Sequence, residues 1–149
     1  TDQIIASQYL MLPTIEDMKK YCLESLDKEF TKKFEKGDAI VAGYNFGCGS
    51  SREQAPAVLK ELGVSVIVAR SFARIFFRNS INIGLPLIVC DDLYSQISTN
   101  DEISFSFEEG KIYTTGKEYE FSKYPNHIME IVKNNGLINY VNSKYEEVV

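Results

Sequence analysis

The sequence is short of metal ligands and of concentrated positive charge. His127 is the single histidine among 149 residues, and the three cysteines, Cys22, Cys48 and Cys90, include no C-x-x-C pair and do not resemble a metal site. An odd number of widely spaced cysteines suits reduced thiols rather than a disulfide framework, which fits a cytoplasmic chain. No run of Lys or Arg occurs, and a formal charge of −5 with pI near 5.0 argues against nucleic acid as a partner. No apolar stretch approaches the roughly 20 residues of a membrane-spanning helix. The start lacks a charged region followed by an apolar one, so no export signal is expected. No tail or linker is expected, and no internal repeat or low-complexity segment is evident. With 44% hydrophobic and 25% charged residues, the expectation is one globular domain over 1–149, with enough chain for a core.

What is present is a repeated alternation of strand and helix signals. Ile15, Met18, Cys22, Leu26 and Phe30 recur at spacings of three and four, which predicts a helix from Thr14 to Phe30 with Thr14 as its cap. Residues 39–43 read as a buried strand, and Ala55, Val58, Leu59 and Leu62 as a helical stripe stopped by Gly63. Residues 64–69 form the next strand. Ser71 can cap a third helix carrying Phe72, Ile75, Phe76 and Ile83, ended by Gly84 and Pro86 before a strand at 87–90. A β-α-β-α-β order of this kind predicts a small parallel sheet covered by helices. Segments 102–107, 111–115 and 118–121, separated by Gly110 and Gly116, read as a short antiparallel meander. Helical pieces at 125–134 and 137–145 close the chain, broken at Asn135-Gly136. The fold class is therefore α/β.

The densest chemistry lies in Tyr44-Asn45-Phe46-Gly47-Cys48-Gly49-Ser50-Ser51-Arg52-Glu53, between the first strand and the next helix. Glycines on both sides of Cys48 permit backbone shapes closed to other residues. Two hydroxyls and a guanidinium then arrive where a helix exposes unpaired N–H groups, a place suited to an anion. Pro56 belongs in a first helical turn, so the helix should begin near Glu53 or later, leaving Ser50, Ser51 and Arg52 ahead of it. Ser50-x-x-Glu53 also matches a capping box. Local physics leaves the anion site and the structural cap both open.

Several motifs together resemble one family. They are Asn45 to Glu53 with Ala55-Pro56, Ser71-Phe72-Ala73-Arg74-Ile75-Phe76 with Arg78-Asn79, Gly84-Leu85-Pro86, Thr1-Asp2-Gln3-Ile4-Ile5, and Tyr9-Leu10. They are similar to the small subunits of 3-isopropylmalate dehydratase, which correspond to the swivelling C-terminal domain of aconitase. The similarity spans nearly the whole chain. It implies an aconitase-like β/β/α swivel fold and a hydro-lyase that dehydrates 2-isopropylmalate to isopropylmaleate and rehydrates it as 3-isopropylmalate, a step of leucine biosynthesis. It further implies Ser50 as the base, working as an alkoxide, Arg52 as the grip on a substrate carboxylate, and Ser51 as an added hydrogen bond. The family carries its [4Fe-4S] cluster on a separate large subunit, so the resemblance implies no cofactor in this chain, an iron–sulfur partner subunit and a small dicarboxylate substrate. Related dehydratases, such as homoaconitase or a methylmalate-type enzyme, and a non-catalytic carboxylate-binding or regulatory swivel domain, stay open as alternatives.

The resemblance also sorts the remaining candidates. Relatives acting on tricarboxylic substrates carry an arginine after the Y-L pair, where this chain has Met11 followed by Leu12. An isopropyl group against these residues would gain roughly 1–3 kcal/mol from burial, while a carboxylate there would lose its water without a counter-charge. A packing role for Met11 beside the first helix is the competing reading. Asp2 matches the family's early acidic residue and either orients a hydroxyl or a partner's histidine, or caps a local turn. Arg74 and Arg78 are one helical turn apart, and either could reach substrate or the subunit interface, against the plainer role of a solvated surface. Cys48 is read as a small buried thiol between glycines, and His127 as structural. Two departures stand out. Gln54 occupies the place where the family motif continues with histidine, and it can replace that residue's hydrogen bond but not its charge. Family members also carry a leading strand and a G-D-x-x-x approach ahead of the point where this sequence begins.

Overall fold

Three short apolar runs set the frame. In the computed structural model, which describes residues 1–146, Ala39–Ala42 (β1), Val66–Ala69 (β2) and Leu87–Val89 (β3) form a parallel sheet in the order β1-β2-β3. Ala39 lies beside Val66, and Ile67 beside Leu87. Because successive side chains on a strand face opposite ways, each strand feeds two cores. Ile40, Ile67 and Leu87 join the larger one with Met18, Val58, Leu59 and Phe76, whereas Val41, Val66, Val68 and Ile88 join the other with Ile112, Phe105 and Phe121.

The larger core is covered by α1 (Ile15–Lys19), α2 (Phe30–Lys33), α3 (Gln54–Leu62) and α4 (Arg74–Asn82). The second core lies under an antiparallel sheet of β4 (Ser104–Ser106), β5 (Lys111–Thr114) and β6 (Lys117–Glu120). Helices α5 (Asn126–Lys133) and α6 (Leu137–Glu146) follow and pack on α4. The layering is the expected β/β/α. Edge strand β3 is held by Tyr124, whose hydroxyl accepts from the Leu87 N–H at 2.9 Å and donates to the Leu87 carbonyl, so this edge position is satisfied by a side chain. Among the described residues no helix is long and apolar enough to cross a membrane.

Two helical expectations need correction. The helix predicted from Thr14 to Phe30 stops at Lys19, although Thr14 caps it as expected by accepting from the Asp17 N–H at 3.1 Å. Past Lys19 the bonds tighten to three-residue spacing, Tyr21 to Met18 and Cys22 to Lys19. Leu23 then turns left-handed, with φ 57°, and donates its N–H to Ile4 at 2.9 Å. Burial of Leu23 and a bond to the N-terminal segment outweigh continuation of the helix, and Leu26 is left exposed. The second correction concerns Ser71. Helix α4 starts at Arg74 with Ala73 before it, and no side chain caps it. Ile75, expected on the apolar stripe, is exposed.

Candidate active site

The loop from Gly43 to Glu53 leaves the carboxyl end of β1, and residues 70–73 leave the carboxyl end of β2 beside it. Ligands of open α/β sheets gather at this rim. The two loops are stitched into an extra parallel bridge at Phe46 and Phe72, with the Phe46 N–H donating to Ser71 at 2.9 Å and the Ala73 N–H donating to Phe46 at 2.9 Å. Ser71 Oγ, read from sequence as a helix cap, accepts from the Asn45 N–H at 2.8 Å instead. Its work is to anchor the loop.

Two glycines give the loop its shape for different reasons. Gly47 has φ +81°, and a Cβ there would stand 2.1 Å from Phe76 Cγ, so the backbone is pressed against the aromatic cluster of Phe46, Phe72 and Phe76. Gly49 has φ +110°, and a Cβ would approach Asp2 Oδ2 to 2.8 Å. With both inner approaches taken by bare backbone, Cys48 between them is exposed, contrary to the buried thiol expected. The proposed capping box does not form either. Glu53 is the residue before α3 and its side chain caps nothing, while Pro56 lies buried in the first turn of a helix that begins at Gln54. Ser50, Ser51 and Arg52 therefore precede the helix, as Pro56 required.

The N-terminal segment clasps this loop. The Thr1 backbone nitrogen donates to the Cys48 carbonyl, and Thr1 Oγ1 donates to the Ser50 carbonyl at 2.5 Å. Arg52 completes the clasp from the other side. Its Nη1 donates to the Ile5 carbonyl at 2.9 Å, its Nη2 donates to Ser7 Oγ at 2.9 Å, and Nη2 pairs with Asp2 Oδ1 at 2.5 Å. The Arg52 side chain is only 12% exposed, whereas Asp2 is 55% exposed. Asp2 thus stands beside Arg52 and pairs with its guanidinium. Ser7 and the Ile5 carbonyl were invisible to sequence reasoning, because backbone acceptors and a lone serine carry no pattern. Ser50 and Ser51 are exposed, and among the described residues neither hydroxyl has a hydrogen-bond partner.

Ser7 belongs to a 3-10 turn, Ser7–Met11, that also carries the candidate specificity residue. Tyr9 pins this turn by stacking on Tyr21 with centroids 4.0 Å apart and donating its hydroxyl to Glu24, which raises the Tyr9 pKa. Leu10 and Leu12 pack on the core, and Met11 is 89% exposed, so the packing alternative for Met11 does not hold. At about 2 Å of rise per residue, Met11 stands about 8 Å along the turn from Ser7 and its bond to Arg52. Gln54 is half-buried at the start of α3. Arg74 and Arg78 are exposed and share no hydrogen bond or ion pair with the loop among the described residues, and His127 is exposed in the first turn of α5. Among the described residues no group of three or more His, Cys, Asp or Glu could hold a metal ion, and burial pushes the Cys22 thiol up to about 12.

Comparison with known proteins agrees with this geometry. The family described as the Aconitase C-terminal domain matches residues 5–91. A 3-isopropylmalate dehydratase small subunit of Clostridium acetobutylicum is 48% identical over 143 residues, covering 95% of this chain and 88% of that protein. The small subunit of Caldicellulosiruptor bescii is 46% identical over 149 residues, covering 99% and 90%. The crystal structure of a 3-isopropylmalate dehydratase from Methanocaldococcus jannaschii superposes with a TM-score of 0.91 at 37% identity, over 97% of this chain and 86% of the other. The matched family, the close structural superposition and near-half identity over almost the full length leave one assignment: the chain belongs to the aconitase C-terminal domain family, among the small subunits of 3-isopropylmalate dehydratase.

Proposed function

We propose that this chain is the small subunit of a 3-isopropylmalate dehydratase, a hydro-lyase that interconverts 2- and 3-isopropylmalate through isopropylmaleate in leucine biosynthesis. The observation that carries the reading is the pair of unpartnered hydroxyls, Ser50 and Ser51, presented ahead of α3 beside a guanidinium whose orientation is fixed by Asp2, Ile5 and Ser7. Nothing in the site favours a homoaconitase, a methylmalate-type enzyme or a non-catalytic domain.

In this reading Ser50 takes the proton next to a substrate carboxylate. A serine hydroxyl is a weak base, and its anion gains from the Arg52 charge and from the N–H groups at the start of α3. Arg52 Nε and the second hydrogen of Nη1 stay available to a carboxylate, and Ser51 supplies a further donor. Exposed Met11, with Leu12 behind it, faces the apolar substituent and disfavours a third carboxylate. Departure of hydroxide calls for a Lewis acid. This chain's cysteines do not fit an iron–sulfur cluster, since Cys22 and Cys90 are buried in different cores and Cys48 is alone on its loop. The [4Fe-4S] cluster that the family resemblance implies would then sit on the large subunit, with this chain acting as one swivel domain in the cytoplasm.

Reconstitution tests this directly. Mixed anaerobically with a large subunit, the chain should turn over both isopropylmalates, and Ser50→Ala should lower kcat by roughly 10²- to 10⁴-fold without loss of assembly. Full turnover by Ser50→Ala, or an intact pair inert toward both isomers, refutes the proposal.

A further inference from the structure

On the same rim as the catalytic loop lies a cluster that the reaction does not use. Arg70, the first residue after β2, lies against two tyrosine rings, with its guanidinium carbon 5.2 Å from the Tyr44 centroid and 5.3 Å from that of Tyr94. Its Nε pairs with Asp91 Oδ1 at 3.2 Å and donates to the Asp91 carbonyl at 3.1 Å, and the Tyr44 hydroxyl donates to Asp91 Oδ1 at 3.2 Å. Every member is tied, yet both tyrosine rings stand open to solvent. Tyr44 is 64% exposed, Tyr94 48%, and Val89, at the end of the neighbouring strand, 49%. Large exposed aromatics locked around an arginine have little side-chain entropy left to lose, and tyrosine and arginine are the residues that anchor protein interfaces.

We propose that the Tyr44–Arg70–Tyr94 stack, braced by Asp91, is a docking patch for the large subunit; this rests on the two-subunit reading above. The occupant follows from position. Tyr44 opens the loop that carries Ser50, and both leave the carboxyl end of β1. On the two-subunit reading the large subunit brings the Lewis acid, so the surface that completes the chemistry around Ser50 comes down on this rim. A second copy seated on the patch would cover the loop and supply nothing that the first copy lacks. Arg70 is already paired within the chain, so the patch offers two ring faces rather than a bare charge, which suits an apolar or aromatic surface of the partner.

The test is titration of the full-length chain against the large subunit, with assembly followed by sedimentation and activity assayed at each concentration. Tyr44→Ala/Tyr94→Ala should weaken assembly by tenfold or more while leaving kcat at saturating large subunit within twofold. Ile138→Asp, on the exposed face of α6, should leave assembly unchanged. Urea unfolding of the isolated double variant checks that the fold is intact, and Tyr44→Phe/Tyr94→Phe, which keeps the ring faces, should restore affinity. The inference is overturned if wild type assembles and turns over while the alanine pair binds within twofold of it, or if the alanine pair changes only self-association of this chain. A wild-type mixture that neither assembles nor turns over defeats the two-subunit reading itself.

Discussion

Arg52→Ala should destabilise the small subunit even with no substrate or partner present, because the arginine closes the clasp between the N-terminal segment and the site loop. Two charge-assisted hydrogen bonds, to the Ile5 carbonyl and Ser7 Oγ at 2.9 Å each, disappear from a side chain only 12% exposed. Each is worth about 1.5–3 kcal/mol. The ion pair with half-exposed Asp2 is screened by water and adds at most about 1 kcal/mol. The expected loss is about 3–7 kcal/mol, a large part of the 5–15 kcal/mol typical of a domain. For a chain of this size, that lowers the melting temperature by roughly 6–28 °C. Arg52→Lys keeps the charge but cannot reach both acceptors with one planar fork, and should fall about midway. Urea and thermal unfolding of the isolated chain measure this loss, and activity after mixing measures the separate loss of the proposed substrate grip. An Arg52→Ala chain within about 0.5 kcal/mol of wild type, the scatter of ordinary surface changes, would refute the clasp.

Gly47→Ala should cost more than about 3 kcal/mol, since a left-handed alanine adds backbone strain to a collision with Phe76, whereas Gly37→Ala, at φ +104° with nothing within 4 Å, should cost only about 1–2 kcal/mol. Equal shifts in urea midpoint would show that the Phe76 wall yields. Met11→Arg, at an exposed position, should leave stability within about 0.5 kcal/mol and shift substrate preference from isopropylmalate toward tricarboxylic acids; unchanged kcat/KM ratios would remove Met11 from specificity. Cys48 should be alkylated in the native chain and Cys22 only after unfolding, as mass spectrometry of modified peptides would read; native modification of Cys22 would contradict its burial. The Cys22 thiol, at about 12 in the fold against a reference of 9.0, keeps its proton where the unfolded chain loses it. Stability should therefore fall above about pH 9 by up to about 1.4 kcal/mol per pH unit from this group, and urea titrations of Cys22→Ala should lack that component.

The sequence alone determined the order of strands and helices, the parallel sheet, the meander and the loop ahead of α3, because these depend on local signals: apolar alternation, glycine stops, and Pro56 fixing where a helix can start. It misjudged the stretch from Thr14 to Phe30, where an apolar period of three and four was satisfied by a short helix and tightened turns once Leu23 found Ile4. It also took Ser71 for a cap and Cys48 for a buried thiol, since neither the Asn45 contact nor the approach of Phe76 to Gly47 leaves a trace in spacing. Arg52 shows the division most clearly. Its place beside Ser50 and Ser51 was legible as a motif. Which acceptors hold it, and that Asp2, Ile5 and Ser7 all come from the distant N-terminal segment, was decided only when the chain closed on itself and a largely buried charge had to find partners.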